Sequence, residues 1–199
     1  MKKKKEKKEV DFFREEYRLS FKFLKESKKY IYAMVALFCL FVVVGFIVPL
    51  PEEITKQLLD YFRELIQRTE GFNSREMIWF LFTNNLTASF LVFVGGIFLG
   101  IIPLFNGILN GFVLGYAAKL SVLENGVFSL WRLFPHGIFE LPALFISLGL
   151  GLRLGVGIFQ EKTSFKSLFV NSLRVFLLIV VPLLIVAAII EGSLIVFSG

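Results

Sequence analysis

Residues 77–118 read MIWFLFTNNLTASFLVFVGGIFLGIIPLFNGILNGFVLGYAA, a run of 42 residues without a charged side chain. As one α-helix this run would be ~63 Å long, about twice the thickness of a bilayer's hydrocarbon core. The chain must therefore turn back inside it, and Pro103, with Gly100 and Asn106-Gly107 around it, is the predicted break. This predicts a span near 79–102 and another near 104–120. The second is short enough to leave a re-entrant or tilted segment open.

The rest of the chain supports a membrane protein. Of its 199 residues 56% are hydrophobic and 19% charged, with a mean hydropathy of +0.72. Three more apolar segments, near 31–48, 135–158 and 173–197, are long enough to span. We therefore predict an all-α, polytopic membrane helix bundle of about five transmembrane helices. This composition excludes a soluble enzyme, a disulfide-stapled secreted domain and a simple nucleic-acid binder, and the lone Cys39 supports no disulfide framework.

The charges are concentrated at the N-terminus. Residues 2–29 hold 12 of the 22 lysines and arginines and account for the whole net charge of +6. Residues 1–28 are predicted to form a basic cytoplasmic tail with an interfacial helix, followed by the transmembrane bundle over 29–199. The charge-flanked apolar pattern of 52–70 predicts an amphipathic extramembrane helix. The positive-inside rule places the N-terminus in the cytoplasm and the C-terminus outside a multi-pass plasma-membrane protein.

Small residues recur at a spacing of four, which allows helix backbones to approach closely. The predicted packing positions are Gly96, Gly100, Gly107, Gly111, Gly115, Gly151 and Gly155. Packing within one chain explains these rows more simply than a dedicated dimer seam, although a homo-oligomer stays open.

Polar side chains inside apolar spans are costly, so each needs a reason. His136 and Glu140 stand four residues apart and share one helical face. With Asn85 and Glu191 they are predicted to form an outer-leaflet polar cluster. Asn106 and Asn110 form a second polar face, and Arg153 is expected to extend toward the cytoplasmic headgroups.

Several chemistries fit this cluster. His136, Glu140 and Glu191 could ligate a metal, yet zinc hydrolases usually present two or more histidines and this chain has one. A cation or proton path through the carboxylates is a second reading. Hydrogen bonding that fixes helix register is the reading we favour. No catalytic residue and no cofactor is predicted.

An ordered set of motifs resembles the stage II sporulation protein M family over roughly residues 30–195. The set comprises Phe82-Thr83-Asn84-Asn85, Gly96 and Gly100, Asn110-Gly111 with Gly115, Phe134-Pro135-His136-Gly137-Ile138-Phe139-Glu140-Leu141-Pro142-Ala143, Gly149-Leu150-Gly151-Leu152-Arg153-Leu154-Gly155, and Ala187-Ala188-Ile189-Ile190-Glu191. By this resemblance Asn85, Asn110, His136, Glu140, Arg153 and Glu191 map onto the family's characteristic polar positions.

The resemblance implies an integral-membrane scaffold without an established catalytic activity. In spore-forming bacteria the namesake works with peptidoglycan-degrading partners during engulfment, but the family extends to bacteria and archaea that do not sporulate. The richness of this chain in Lys, Glu and Phe suits a thermophile, so sporulation itself is not inherited. We predict a non-enzymatic scaffold or complex subunit in the lipid bilayer, with membrane or envelope protein partners and no nucleic acid. The alternatives are a transporter or permease subunit and, third, an intramembrane metal-dependent hydrolase.

Overall fold

The computed structural model describes the backbone of residues 2–159 and 164–198, and the side chains of 11–130, 137–159 and 164–194. All regular secondary structure in these parts is helical. Five helical segments are long and apolar enough to cross a membrane: Asp11–Ile47, Ser74–Gly95, Ile101–Asn125, Gly137–Gly157 and Phe165–Leu194. The predicted all-α class with five candidate spans is confirmed.

The helices form a bundle around one central helix. In chain order they are α1 (Lys2–Ile47), α2 (Glu52–Thr69), α3 (Ser74–Gly95), α4 (Ile101–Asn125), a 3₁₀ segment (Val127–Leu133), α5 (Phe134–Gly157), α6 (Phe165–Val175), a π segment (Phe176–Val180) and α7 (Val181–Ser198). The central helix is α5, which packs against α1, α3, α4, α6 and α7. Two further helix pairs, α1 with α4 and α3 with α7, enclose it.

The predicted division between an interfacial helix ending near residue 28 and a first span at 31–48 does not appear in the structure. Instead α1 is one unbroken helix over Lys2–Ile47. The physical reason lies in the sequence, since no Gly or Pro interrupts residues 2–44. A buried stripe also continues through the predicted boundary, so both parts of α1 pack against the same bundle. Its members are Ser20, Phe23, Ser27, Tyr30, Met34 and Phe38.

The break in the uncharged run lies before Pro103 rather than at it. The helix α3 ends at Gly95, and the chain turns through residues 96–100, where Leu99 (φ 55°) and Gly100 (φ 75°) adopt left-handed backbone conformations. Pro103 lies in the first turn of α4, where a missing N–H group costs no helical hydrogen bond. The predicted spans 79–102 and 104–120 are thus corrected to Ser74–Gly95 and Ile101–Asn125. At 25 residues, α4 is long enough to cross the hydrocarbon core.

The other predicted segments are reproduced to different degrees. Both α2 and α5 begin and end within one residue of the predicted 52–70 and 135–158. The last span begins earlier than the predicted 173–197, because helix starts at Phe165 and continues through the π segment into α7. Pro182 follows that π segment, and the wider turn accommodates a ring that would clash with the carbonyl of Leu178 in a regular α-helix.

Candidate functional site

The predicted outer polar cluster draws on three helices that pack on one another. Asn85 lies on α3, Glu140 on α5 and Glu191 on α7, and each pair of these helices is in contact. A capping box fixes the start of α3: the Asn73 side chain accepts from the backbone N–H groups of Arg75 and Glu76, while the Glu76 carboxylate accepts from the Asn73 N–H. The position of Asn85 along the span therefore follows from a well-defined helix start.

Glycine contacts give the relative heights of these side chains. A Cβ added to Gly192 would fall 2.7 Å from the Ile78 side chain, so the neighbouring Glu191 lies level with the first turns of α3. Asn85 is seven residues further along α3, ~10 Å deeper. On α5, Gly151 faces the carbonyl groups of Val92 and Phe93 in a parallel register, which places Glu140 at an intermediate height. The three residues thus occupy one band about two helical turns deep.

The environments of the three side chains differ. Glu191 is buried, with 9% of its surface exposed, and Glu140 is half-buried. Asn85 is half-buried and accepts a long hydrogen bond of 3.4 Å from the amide nitrogen of Asn84. The side chain of His136 lies outside the described residues, so its predicted place beside Glu140 is not tested. Among the side chains that are described, no three His, Cys, Asp or Glu residues gather into a group that could hold a metal ion.

The second predicted polar face, Asn106 and Asn110, lies apart from this cluster on α4. The amide nitrogen of Asn110 donates to the backbone carbonyl and to the side-chain oxygen of Asn106, each at 2.9 Å. Asn110 is exposed and Asn106 half-buried. This local pair satisfies part of its own hydrogen-bonding capacity within one helix.

One row of predicted packing glycines joins α4 to α1. Gly107 faces Met34, Gly111 faces the carbonyl of Phe38, and a Cβ on Gly115 would overlap the carbonyl of Val42. The sequence offset is 73 in all three pairs, so the helices run parallel with an unchanging register. The absence of side chains on this face of α4 lets the α1 backbone lie directly against it.

The second set of glycines lies where the turn between α3 and α4 packs against α5. The predicted topology places this contact at the cytoplasmic end of the bundle. A Cβ on Gly96 would overlap the backbone of Gly151, and one on Gly155 would overlap the backbone of Gly100. Backbone therefore lies against backbone at both levels of this crossing. The turn between α3 and α4 is held against α5 at the point where the left-handed residues reverse the chain.

A polar site that the sequence did not reveal lies on the other side of the bundle. One guanidinium nitrogen of Arg153, on α5, donates to Ser27 Oγ (2.7 Å) and to the Phe23 carbonyl (3.2 Å) of α1. Its second nitrogen lies 3.5 Å from the Glu26 carboxylate, and the guanidinium carbon is 3.9 Å from the centre of the Phe23 ring. Arg153 therefore binds α1 through these groups, and its extension to the cytoplasmic headgroups stays a prediction.

A second arginine repeats this arrangement on α6. Arg174 pairs with Glu16 of α1 and donates to the side-chain oxygen of Asn171 at 2.5 Å. We refer to the contacts of Arg153 and Arg174 with α1 as the arginine clasp. The signal in the sequence is the stripe of Ser20, Phe23, Ser27 and Tyr30 at alternating spacings of three and four, which is typical of a helix face packed against a partner helix.

The polar band and the helix contacts differ in what they can do. The band of Asn85, Glu140 and Glu191 can exchange hydrogen bonds or carry a charge within the span, while the arginine clasp and the glycine rows fix one helix against another. The described side chains thus supply strong intramolecular coupling of α1 to the rest of the bundle.

Comparison with known proteins agrees with this architecture. Residues 34–194 match the family model SpoIIM, stage II sporulation protein M. Two uncharacterized proteins of the archaeon Methanocaldococcus jannaschii are similar: one is 34% identical over 118 residues (56% of this chain, 66% of the relative) and the other 29% identical over 139 residues (66% and 61%). The chain thus spans slightly less than two thirds of the length of these relatives. No solved structure matches. The family match covers the bundle from the first span to the last, and the chain belongs to the stage II sporulation protein M family.

Proposed function

We propose that this protein is a non-enzymatic scaffold subunit of a membrane complex. In this proposal it lies in the plasma membrane with its N-terminus in the cytoplasm, and it binds membrane or envelope proteins through α2. The observation that carries the proposal is the exposure of α2, because none of its 18 residues is buried. A hydrogen bond of 2.8 Å between Thr55 Oγ1 and the Tyr116 hydroxyl links α2 to α4.

The exposed face of α2 is apolar and continuous. Ile54, Tyr61 and Ile66 are each about half exposed or more, and they lie along one side of the helix with Leu58 and Leu65 between them. An exposed amphipathic helix of this kind can bind a groove on another protein.

The charge of α2 favours a protein partner over a lipid surface. Helices that lie on membranes carry an excess of Lys and Arg on their polar face. The polar residues of α2 include four acids and three bases. Two of those bases are already paired within the helix, Arg63 with Asp60 and Arg68 with Glu64. Little positive charge is left to hold the helix on anionic headgroups.

A crosslinked pull-down of the tagged protein from native membranes tests this role. In the wild type we expect a stoichiometric partner. Tyr61→Glu places a charge in the middle of the apolar face and should reduce recovery of that partner at least tenfold, while the protein still folds because Tyr61 is 55% exposed. Gln67→Glu is the matched control, because it adds the same charge to the opposite face.

Equal recovery of the partner with both variants would show that α2 does not recruit it. Wild-type membranes that yield no stoichiometric partner at all would remove the scaffold proposal itself.

Burial of Glu191 in the last span is the observation that favours the transporter alternative, because a carboxylate at that position can bind a cation or proton. Measurement of proton and cation flux in proteoliposomes distinguishes the scaffold from the transporter. A scaffold should give the same background proton and cation flux in wild type and in Glu191→Gln, with both variants equally folded. A wild-type flux well above that of empty liposomes, abolished in Glu191→Gln, would establish a transporter.

A further inference from the structure

A groove runs along the outside of α1 where its basic part meets its apolar part. It has a volume of about 340 Å³ and is lined by Leu24, Lys25, Lys28, Ile31 and Tyr32 of α1 and by Ile146 of α5. Its two charged side chains are both lysines, and the remaining walls are apolar or aromatic.

The groove runs along the axis of α1, which is a candidate membrane span. Ile31 lies against Gly149 of α5, within the candidate spans of both helices. Lys28 is three residues and Lys25 six residues nearer the N-terminus, ~4.5 and ~9 Å along the helix axis. The positive end of the groove therefore lies toward the basic N-terminal part of α1 and its apolar end toward the uncharged part that begins at Tyr30. A phospholipid has the same order, with a charged headgroup followed by apolar chains.

The lysines of the groove are not neutralised within the described part of the chain. No described acidic side chain forms an ion pair with Lys25 or Lys28, and the adjacent Glu26 is directed to Arg153 on another face of α1. A second groove of about 330 Å³, between the start of α1 and α6, provides a contrast, because its cation Arg174 is already paired with Glu16. Only the first of these two grooves offers free positive charge to an anionic group.

We propose that this groove binds one anionic phospholipid from the leaflet that surrounds the basic part of α1. Its phosphate lies between Lys25 and Lys28, and part of one lipid chain lies along Ile31, Tyr32 and Ile146. Basic pockets beside transmembrane helices bind anionic headgroups in this way, with the charge supplying selectivity and the apolar wall supplying affinity.

Native mass spectrometry of the purified full chain tests the site, with equal amounts of phosphatidylglycerol and phosphatidylcholine as probes. The wild type should retain one phosphatidylglycerol in preference to phosphatidylcholine. Lys25→Gln with Lys28→Gln should lower that preference by about 30-fold, the effect expected for two lysines near an anionic headgroup. Both lysines lie on the surface of α1, so the variant should fold.

The matched control is Lys22→Gln with Lys29→Gln, which removes the same charge from the same helix but not from the lining of the groove. It should change the preference less than threefold. Equal losses in the two double variants would overturn the site in favour of diffuse attraction, and an absence of any preference in the wild type would overturn it outright.

Inorganic phosphate separates a lipid from a free anion. The proposal expects millimolar phosphate to leave the bound phosphatidylglycerol in place, because phosphate cannot use the apolar wall. Full displacement by phosphate would show that the lysines bind the anion alone and would contradict a lipid site.

Discussion

Gly115→Ala is expected to lower the free energy of unfolding by about 3 kcal/mol, the upper part of the range for overpacking a close contact. The added Cβ would overlap the Val42 carbonyl and lie 3.0 Å from the Phe46 nitrogen, both backbone atoms of α1. Neither atom can rotate away, so α1 and α4 must separate along their shared seam. The measurement is reversible unfolding in mixed detergent micelles, followed by circular dichroism.

Gly107→Ala is the matched control from the same glycine row. Its Cβ would meet the terminal methyl group of Met34 at 2.6 Å, and a methionine can move that group at little cost. Both substitutions gain the same helix propensity. We therefore expect Gly107→Ala to change the unfolding free energy by less than about 1 kcal/mol. Equal destabilisation by the two alanines would contradict the register in which the seam is described.

The number of spans could be predicted because hydrophobicity is a local property of the sequence. A run without charges that, as one helix, would be about twice as long as the hydrocarbon core is thick must fold back, whatever its tertiary contacts. The position of the turn could not be predicted in the same way. Proline at 103 was the stronger local signal, yet the chain turns at Leu99 and Gly100, because the glycines there also need to lie against the backbone of α5.

In the candidate site, too, some residues could be predicted from the local sequence and others could not. Asn85, Glu140 and Glu191 stand out in the sequence because polar groups are rare in apolar spans, and their helices do pack together. Ser20 and Ser27 attract no such attention among the charges of α1. Both are fully buried, and Ser27 receives the Arg153 hydrogen bond from a helix 126 residues away in sequence. A hydrogen bond between residues so far apart in sequence depends on the tertiary fold. The local sequence indicates it only through the helical spacing of the buried stripe on α1.

Arg153→Ala is expected to lower the free energy of unfolding by about 3 kcal/mol. The guanidinium is largely enclosed, with 16% of the side chain exposed. Its removal takes away a charge-assisted hydrogen bond to Ser27, a second to the Phe23 carbonyl, and stacking over the Phe23 ring. Hydrogen bonds to charged groups contribute roughly 1.5–3 kcal/mol, and partly enclosed cation–π contacts roughly 1 kcal/mol. The same detergent unfolding experiment measures the loss.

Two variants separate this clasp from a general effect of charge. Arg18→Ala removes an equal charge from an exposed pair with Glu15 and should cost less than about 0.5 kcal/mol. Arg153→Lys keeps the charge but loses the planar group that stacks on Phe23 and binds two acceptors, so it should recover less than half of the loss. If Arg153→Ala were as mild as Arg18→Ala, α1 would have to be held by its apolar stripe and glycine seam alone. A coupling of at least 1 kcal/mol between Arg153→Ala and Ser27→Ala would instead locate the stabilisation in their shared hydrogen bond.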